Sequence, residues 1–253
     1  MKWKDMHFFP FRVSRTTLKW IALISMILDH IAFCFLSEDG SFHMLYLVMR
    51  IFGRVAFPLF CFLLVQGFLS TRNVKKYFFR LFVFACISEI PYDLFAYHRL
   101  FSLRGQNVLF TLCIALLVLY GISRARLSRV YIFLLLFFGS ALAIMLRTDY
   151  SYLGILFTAV IYLWQEERFF QFVLLCVIMG MQGWLNPWEI LSLPFMLLYR
   201  SGEGRQEKRE ERETHAFEKG DGEFQGVSVF SRYFFYLFYP AHMLCLFLFD
   251  VFL

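Results

Sequence analysis

The sequence predicts an all-α protein: a polytopic transmembrane helix bundle of about nine spans (roughly 8–10) with a cytoplasmic N-terminus. Three observations predict it. Sixty per cent of the residues are apolar and mean hydropathy is +0.61, beyond what a soluble domain of this size uses. Phe alone supplies 35 of the 253 residues. Apolar stretches recur along the whole chain between short charged breaks, most of them near the roughly 20 residues that cross a hydrocarbon core as a helix.

Each span has its own justification. The run 16–36 follows a basic segment, but it exceeds a signal-peptide core of about 7–15 residues, lacks a small-residue cleavage site and is followed by further spans, so it reads as a retained first helix. The second, 44–69, carries Arg50 and Arg54. The third, 76–97, opens beside Lys75 and Lys76 and holds Pro91 near its end. Runs 106–122 and 129–147 are separated by the basic "SRARLSR". The sixth, 151–165, is short, and 169–185 follows it. In "PWEILSLPFMLLY", 187–199, two prolines point to a half-helix buried in protein. The last run is 231–252. Residues 1–200 then form the transmembrane domain through span eight, 201–230 a charged flexible cytoplasmic loop, and 231–253 the final helix of the same domain. The loop's "SGEGRQEKREERETHAFEKGDGEFQG" mixes both charge signs with few apolar residues and reads as a linker. The chain has no internal repeat to support an inverted-repeat transporter.

Charge sets the orientation. With nine spans and the N-terminus inside, cytoplasmic segments hold 20 of the 25 basic residues, or 13 without the longest loop. Outer loops hold three, Arg99, Arg104 and Arg147. That asymmetry follows the positive-inside rule and places the chain in the inner (cytoplasmic) membrane as a multi-pass protein among membrane lipids. It also accounts for the net charge of +6 without a nucleic-acid partner. The six cysteines lie singly inside apolar runs, with neither metal-ligand nor disulfide spacing, so no metal is expected.

Polar residues inside the spans carry the functional signal. A charge near the bilayer centre costs a few kcal/mol, so an ionisable residue there is a functional-site hypothesis. Asp29 and His30, in "SMILDHIAFCFL", come late in an outward-running helix. Arg50 and Arg54, four apart, share one face of the outer half of span two. Glu89, Tyr92 and Asp93 share a face at the end of span three; Gln106 and Asn107 open span four. Asp149, Tyr150, Trp184 and Asn186 border the same outer face, and His242 lies nearer the middle of the last span. These groups from several helices agree in depth, as a polar cavity in the outer half would require. Simpler readings exist for each: structural ion pairs of Asp29 or Glu89 with the arginines, aromatic-belt anchors at Tyr92, Tyr150 and Trp184, a hydrogen-bonded helix histidine at His242. His30 stands apart because it neighbours Asp29 and an imidazole can titrate near neutrality.

The motifs "LKWIALISMILDHIAF", "RIFGRVAFPLFCFLLVQGFLSTRNVKKYFFRLFVFACISEIPYDL", "QNVLFTL", "DYSYLGIL" and "FYPAHMLCLF" follow one another as in the TraX-type conjugal-pilin acetylation family, which the sequence resembles over most of its length, weakly at 125–145 and not through 201–226. It also looks distantly similar to larger membrane acyltransferases that carry acyl groups from cytoplasmic CoA to an outside acceptor. The resemblance implies an enzyme, a membrane acyltransferase that uses acetyl-CoA to acetylate a pilin-like protein; a small protein or a glycan is the class of acceptor. For that chemistry His30 is the expected general base, with Asp29 or Glu89 as its carboxylate partner. Arg54, with Arg50, is expected to stabilise an oxyanion or pair with the carboxylates, and Asn107 to hold the acyl carbonyl. Tyr92, Asp93 and His242 complete the expected substrate site. Lys75, Lys76 and Arg80, with Arg124, Arg126 and Arg129, form a candidate dock for the CoA phosphates; the positive-inside rule explains the same residues without it. The competing classes are a small-solute transporter using the same cavity and a non-catalytic assembly factor held together by the ion pairs.

Overall fold

The structure is a computed structural model describing residues 13–36, 38–124, 128–181, 187–199 and 225–252. Among these residues every regular element is a helix, with two isolated bridges, Val13 to Tyr199 and Gln106 to Thr148, and no strands.

Helix α1 (Arg15–Phe35) starts where the Ser14 hydroxyl accepts the Thr17 N–H at 3.1 Å, a side-chain cap for an otherwise orphaned donor. The expected second span is two helices, α2 (His43–Gly53) and α3 (Ala56–Ser70), interrupted at Arg54 and Val55. Pro58 explains the interruption: it has no N–H for the Arg54 carbonyl four residues back, and its ring crowds that carbonyl. The backbone tightens instead, with Val55 N–H bonding to Phe52 at 3.3 Å. Asn73 caps α4 (Val74–Tyr97) by accepting from Lys76 N–H at 3.0 Å, and Pro91 lies inside that helix.

Next come α5 (Val108–Arg124), α6 (Arg129–Met145), α7 (Ser151–Leu163) and α8 (Arg168–Met181). The expected half-helix at 187–199 is a 3-10 helix (Pro187–Ser192) running into a short α9 (Leu193–Leu198), as prolines at both starts dictate. Helix α10 (Gln225–Phe252) begins six residues before the expected span at 231. Residues 182–185, the expected end of span seven, with 186, and 201–224 of the expected loop lie outside the described residues.

Three helical stretches are long and apolar enough to cross a membrane: Arg15–Phe35, His43–Ser70 taken through its break, and Tyr233–Phe252. Five shorter apolar helices accompany them. Outward faces are themselves apolar, as at Phe133, Phe137 and Phe138 of α6, each more than half exposed. A soluble monomer does not present such faces.

Packing brings α1 against α2, α3 and α10, while α10 also lies along α4. From α4 the contacts pass to α5, then to α6 and α7, and α7 returns to α3. Leu18, Leu59, Leu116 and Ile155 are almost wholly closed to solvent in the resulting core. The closure of α1, α2, α4 and α10 around the start of α3 makes the space in which the polar residues meet.

Candidate functional site

A cavity of about 230 Å³ opens among α1, the α2–α3 break, α4, α10 and the α6–α7 connector. Adjacent helix residues point about 100° apart, and that divergence sends Asp29 and His30 to different partners. Asp29 turns to α2, where its Oδ1 lies 2.8 Å from Arg50 Nη1 and 3.9 Å from Arg54 Nε. One carboxylate thus serves two guanidinium groups a turn apart. Gly53 permits this approach: a Cβ there would stand 2.5 Å from Asp29 Cβ and 2.8 Å from Asp29 Cα. Arg50 also lies over the Tyr46 ring, 5.9 Å from its centre.

His30 turns the other way. Its Nδ1 is 2.7 Å from Nε2 of His242 on α10. The two rings are parallel to within 1° with centres 5.0 Å apart, so they meet edge to edge in one plane. His242 Nδ1 donates to the Phe238 carbonyl at 2.9 Å. His30 lines the cavity beside Phe95, whose ring centre is 5.2 Å away.

The opposite wall is the α6–α7 connector. Helix α6 ends in a Schellman pattern, with Thr148 N–H bonding to Ala143 and Arg147 N–H to Ile144. Arg147, Tyr150 and Ser151 all have positive φ, at 53°, 59° and 42°, costly for residues with a Cβ. Tethers hold this shape: Gln106 N–H bonds to Arg147 and Asp149 N–H to Gln106, both at 3.0 Å, and the Thr111 hydroxyl donates to the Asp149 carbonyl. The connector lays the Tyr150 ring on Phe57, centres 3.5 Å apart and nearly parallel, with its hydroxyl beside Arg54.

Asp29, His30, Arg50, Arg54 and Tyr92 therefore line one cavity, as their common depth led us to expect. Glu89 and Asn107 are elsewhere, bonded to each other. The Asn107 side-chain amide donates to Glu89 Oε2 and to the Ala85 carbonyl, the latter at 2.9 Å. Its Oδ1 accepts Leu109 N–H at 3.0 Å, starting α5. The ring partner of His30 is thus His242, where a carboxylate was expected. Asp93, fully buried, accepts Ser102 N–H at 2.7 Å and pins the loop after α4.

On the basic side, Lys75 and Lys76 are exposed on the first turn of α4. Arg80 lies over the rings of Tyr77 and Tyr236, at 5.6 and 5.3 Å. Arg124 covers Tyr120, and Arg129 is exposed at the start of α6. Trp184, Asn186 and Arg126 lie outside the described residues.

Asp149 and Tyr150, expected at the border of the outer face, both stand in the cavity wall with Tyr239. The polar "RTDYS" between two apolar runs was the available signal. Glu189, buried in the 3-10 helix, acts electrostatically on Arg54 and Tyr150; its place within an apolar, proline-flanked run was the cue. Among the described residues no three His, Cys, Asp or Glu side chains converge to hold a metal ion.

The helices and cavity define a class: an all-helical membrane protein with an imidazole pair and a two-arginine charge cluster between its helices. The chain belongs to the TraX protein family, whose model matches residues 14–219. It is similar to the probable fimbrial assembly protein FimC, serogroup H1, of Dichelobacter nodosus, at 36% identity over 234 residues, covering 89% of this chain and 91% of that protein. No solved structure matches the chain.

Proposed function

We propose that this protein is an integral membrane acyltransferase that passes an acetyl or other short acyl group from acyl-CoA to an amine or hydroxyl of an acceptor. The observation that carries the reading is the meeting, in one cavity, of a histidine and two arginines that share a carboxylate. Acyl transfer needs a base for the nucleophile and cations or donors for the charge that develops on the carbonyl oxygen. The family and the fimbrial-assembly name of its relative support a pilin-like N-terminal amine as the acceptor to test first.

Acyl-CoA supplies an activated carbonyl on a thiolate leaving group. The cavity, below the roughly 300–1,000 Å³ of ligand pockets in general, fits the acyl end and not the nucleotide. His30 would take the proton of the acceptor nitrogen as the new N–C bond forms and return it to sulfur as the C–S bond breaks. Arg54, with Arg50, would face the oxyanion, while Asp29 holds both guanidinium groups in place. Lys75, Lys76 and Arg80 would meet the CoA phosphates at the cytoplasmic face. In this reading the chain crosses the inner membrane about nine times with its N-terminus inside.

The test is co-expression with a pilin-like acceptor and an intact-mass measurement. The acceptor should gain one acetyl group with the wild type and none with an empty vector. Identical masses with donor and acceptor both present would count against the assignment.

A further inference from the structure

We infer that His242 is a positioning residue that fixes the tautomer of His30, so that the lone pair of His30 resides on Nε2. The constraint begins at a backbone carbonyl. Phe238 O has lone pairs and no proton, so a 2.9 Å contact to His242 Nδ1 requires the hydrogen to be on that nitrogen. A neutral imidazole carries one N–H, which leaves His242 Nε2 as an acceptor. Among the described residues, the atom that meets that lone pair in line is His30 Nδ1, at 2.7 Å in a coplanar edge-to-edge arrangement. His30 must therefore donate from Nδ1, and its remaining lone pair is on Nε2.

The geometry gives His242 little freedom to do otherwise. Its ring is nearly parallel to that of Phe238, one helical turn away, with centres 5.3 Å apart, and packs against Tyr239 at 5.8 Å. His242 itself is 8% exposed. A backbone carbonyl does not titrate, so the orientation it imposes holds whatever the protonation of Asp29. Of the pair, His30 is the ring that lines the cavity. The arrangement does for an imidazole what a buried carboxylate does in a catalytic triad, which is to choose the tautomer and aim the ring, with a second imidazole and a carbonyl in that place.

The tautomer stands on geometry alone, and its catalytic consequence rests on the acyltransferase reading. The test uses the full-length chain labelled with ¹⁵N-histidine in lipid bicelles above neutral pH, with His30 signals assigned by their loss in His30→Ala. In the wild type, His30 Nδ1 should carry the proton and Nε2 none. His242→Phe keeps an aromatic ring against Phe238 but offers no acceptor, and should give a mixture of His30 tautomers. His242→Gln returns an acceptor near the Nε2 position and should restore the Nδ1–H form. In acetyl-transfer assays at matched protein levels, His242→Phe should lose about 10- to 100-fold in kcat with KM little changed, and His242→Gln should recover most of it. A protonated Nε2 on His30 in the wild type overturns the inference. So does a His242→Phe protein in which the tautomer is unchanged. A wild type with the stated tautomer and no transferase activity leaves the inference standing and removes the acyltransferase reading instead.

Discussion

Asp29 is 18% exposed and Arg50 21%, and the carboxylate is shared with Arg54. Asp29→Asn leaves two guanidinium groups in a largely desolvated space without their anion. Losing one partner of a fully buried pair costs ~3–5 kcal/mol; partial exposure brings the expectation here to about 2–3 kcal/mol. Thermal unfolding of the purified protein should shift down by several degrees, and an unchanged midpoint would show the pair to be ornamental. Asn107→Ala belongs to the same scale. Its amide joins α4 to α5 through Glu89 and the Ala85 carbonyl, so truncation should destabilise by about 1–3 kcal/mol, read in the same assay. Stability held with transfer abolished would return Asn107 to the substrate. The charge pair was legible in sequence because a charge in an apolar run needs an opposite charge at similar depth. The histidine pair was not: its members are 212 residues apart, and no periodicity relates them. Nor was Asn107's choice of Glu89, since depth alone does not tell which polar neighbours touch.

Between α1 and α2, Gly53 decides how close two helices come. Its added Cβ would meet Asp29's own Cα at 2.8 Å, and backbone cannot swing aside as a side-chain tip can. Gly53→Ala should force the helices apart at about 1–3 kcal/mol and loosen the Asp29–Arg50 contact; size-exclusion profiles after heating would report the loss. The α6–α7 connector offers the opposite case. Arg147 occupies the left-handed position of a Schellman cap, where glycine is the usual residue. Arg147→Gly should stabilise by up to about 1 kcal/mol, whereas Arg147→Ile, branched at Cβ, should cost about 1–2 kcal/mol. Equal midpoints for the two variants would mean that the connector does not hold that conformation. The half-helix was readable from its prolines, whereas the first and third spans were set at 16 and 76 by their apolar runs and not by the capping residues Ser14 and Asn73. The α2–α3 break was readable in principle from Pro58; apolar continuity from 55 to 69 masked it. The connector's left-handed residues left no such mark, because Arg, Tyr and Ser rarely adopt that backbone and only tertiary tethers impose it.

At the scale of the whole molecule, composition alone gave the helical membrane class, since nothing but hydrocarbon or protein can face so many aromatic side chains. The proposed orientation rests on the distribution of arginine and lysine and can be measured directly. In a background without the native cysteines, Arg104→Cys and Arg147→Cys should react with an impermeant maleimide on intact cells, and Arg72→Cys only after permeabilisation. The reverse pattern would invert the topology, and with it the side from which donor and acceptor reach the cavity. The cavity itself was legible only as a shared depth. Which helices close it follows from long-range packing of α1, α4 and α10, on which hydropathy is silent. The acyl transfer we propose would take place in this cavity. Membranes containing the wild type or His30→Ala, at matched protein levels, should be given radioactive acetyl-CoA and the acceptor fraction counted. Label in the acceptor with the wild type and background counts with His30→Ala is the predicted result; equal labelling by the two proteins would contradict it.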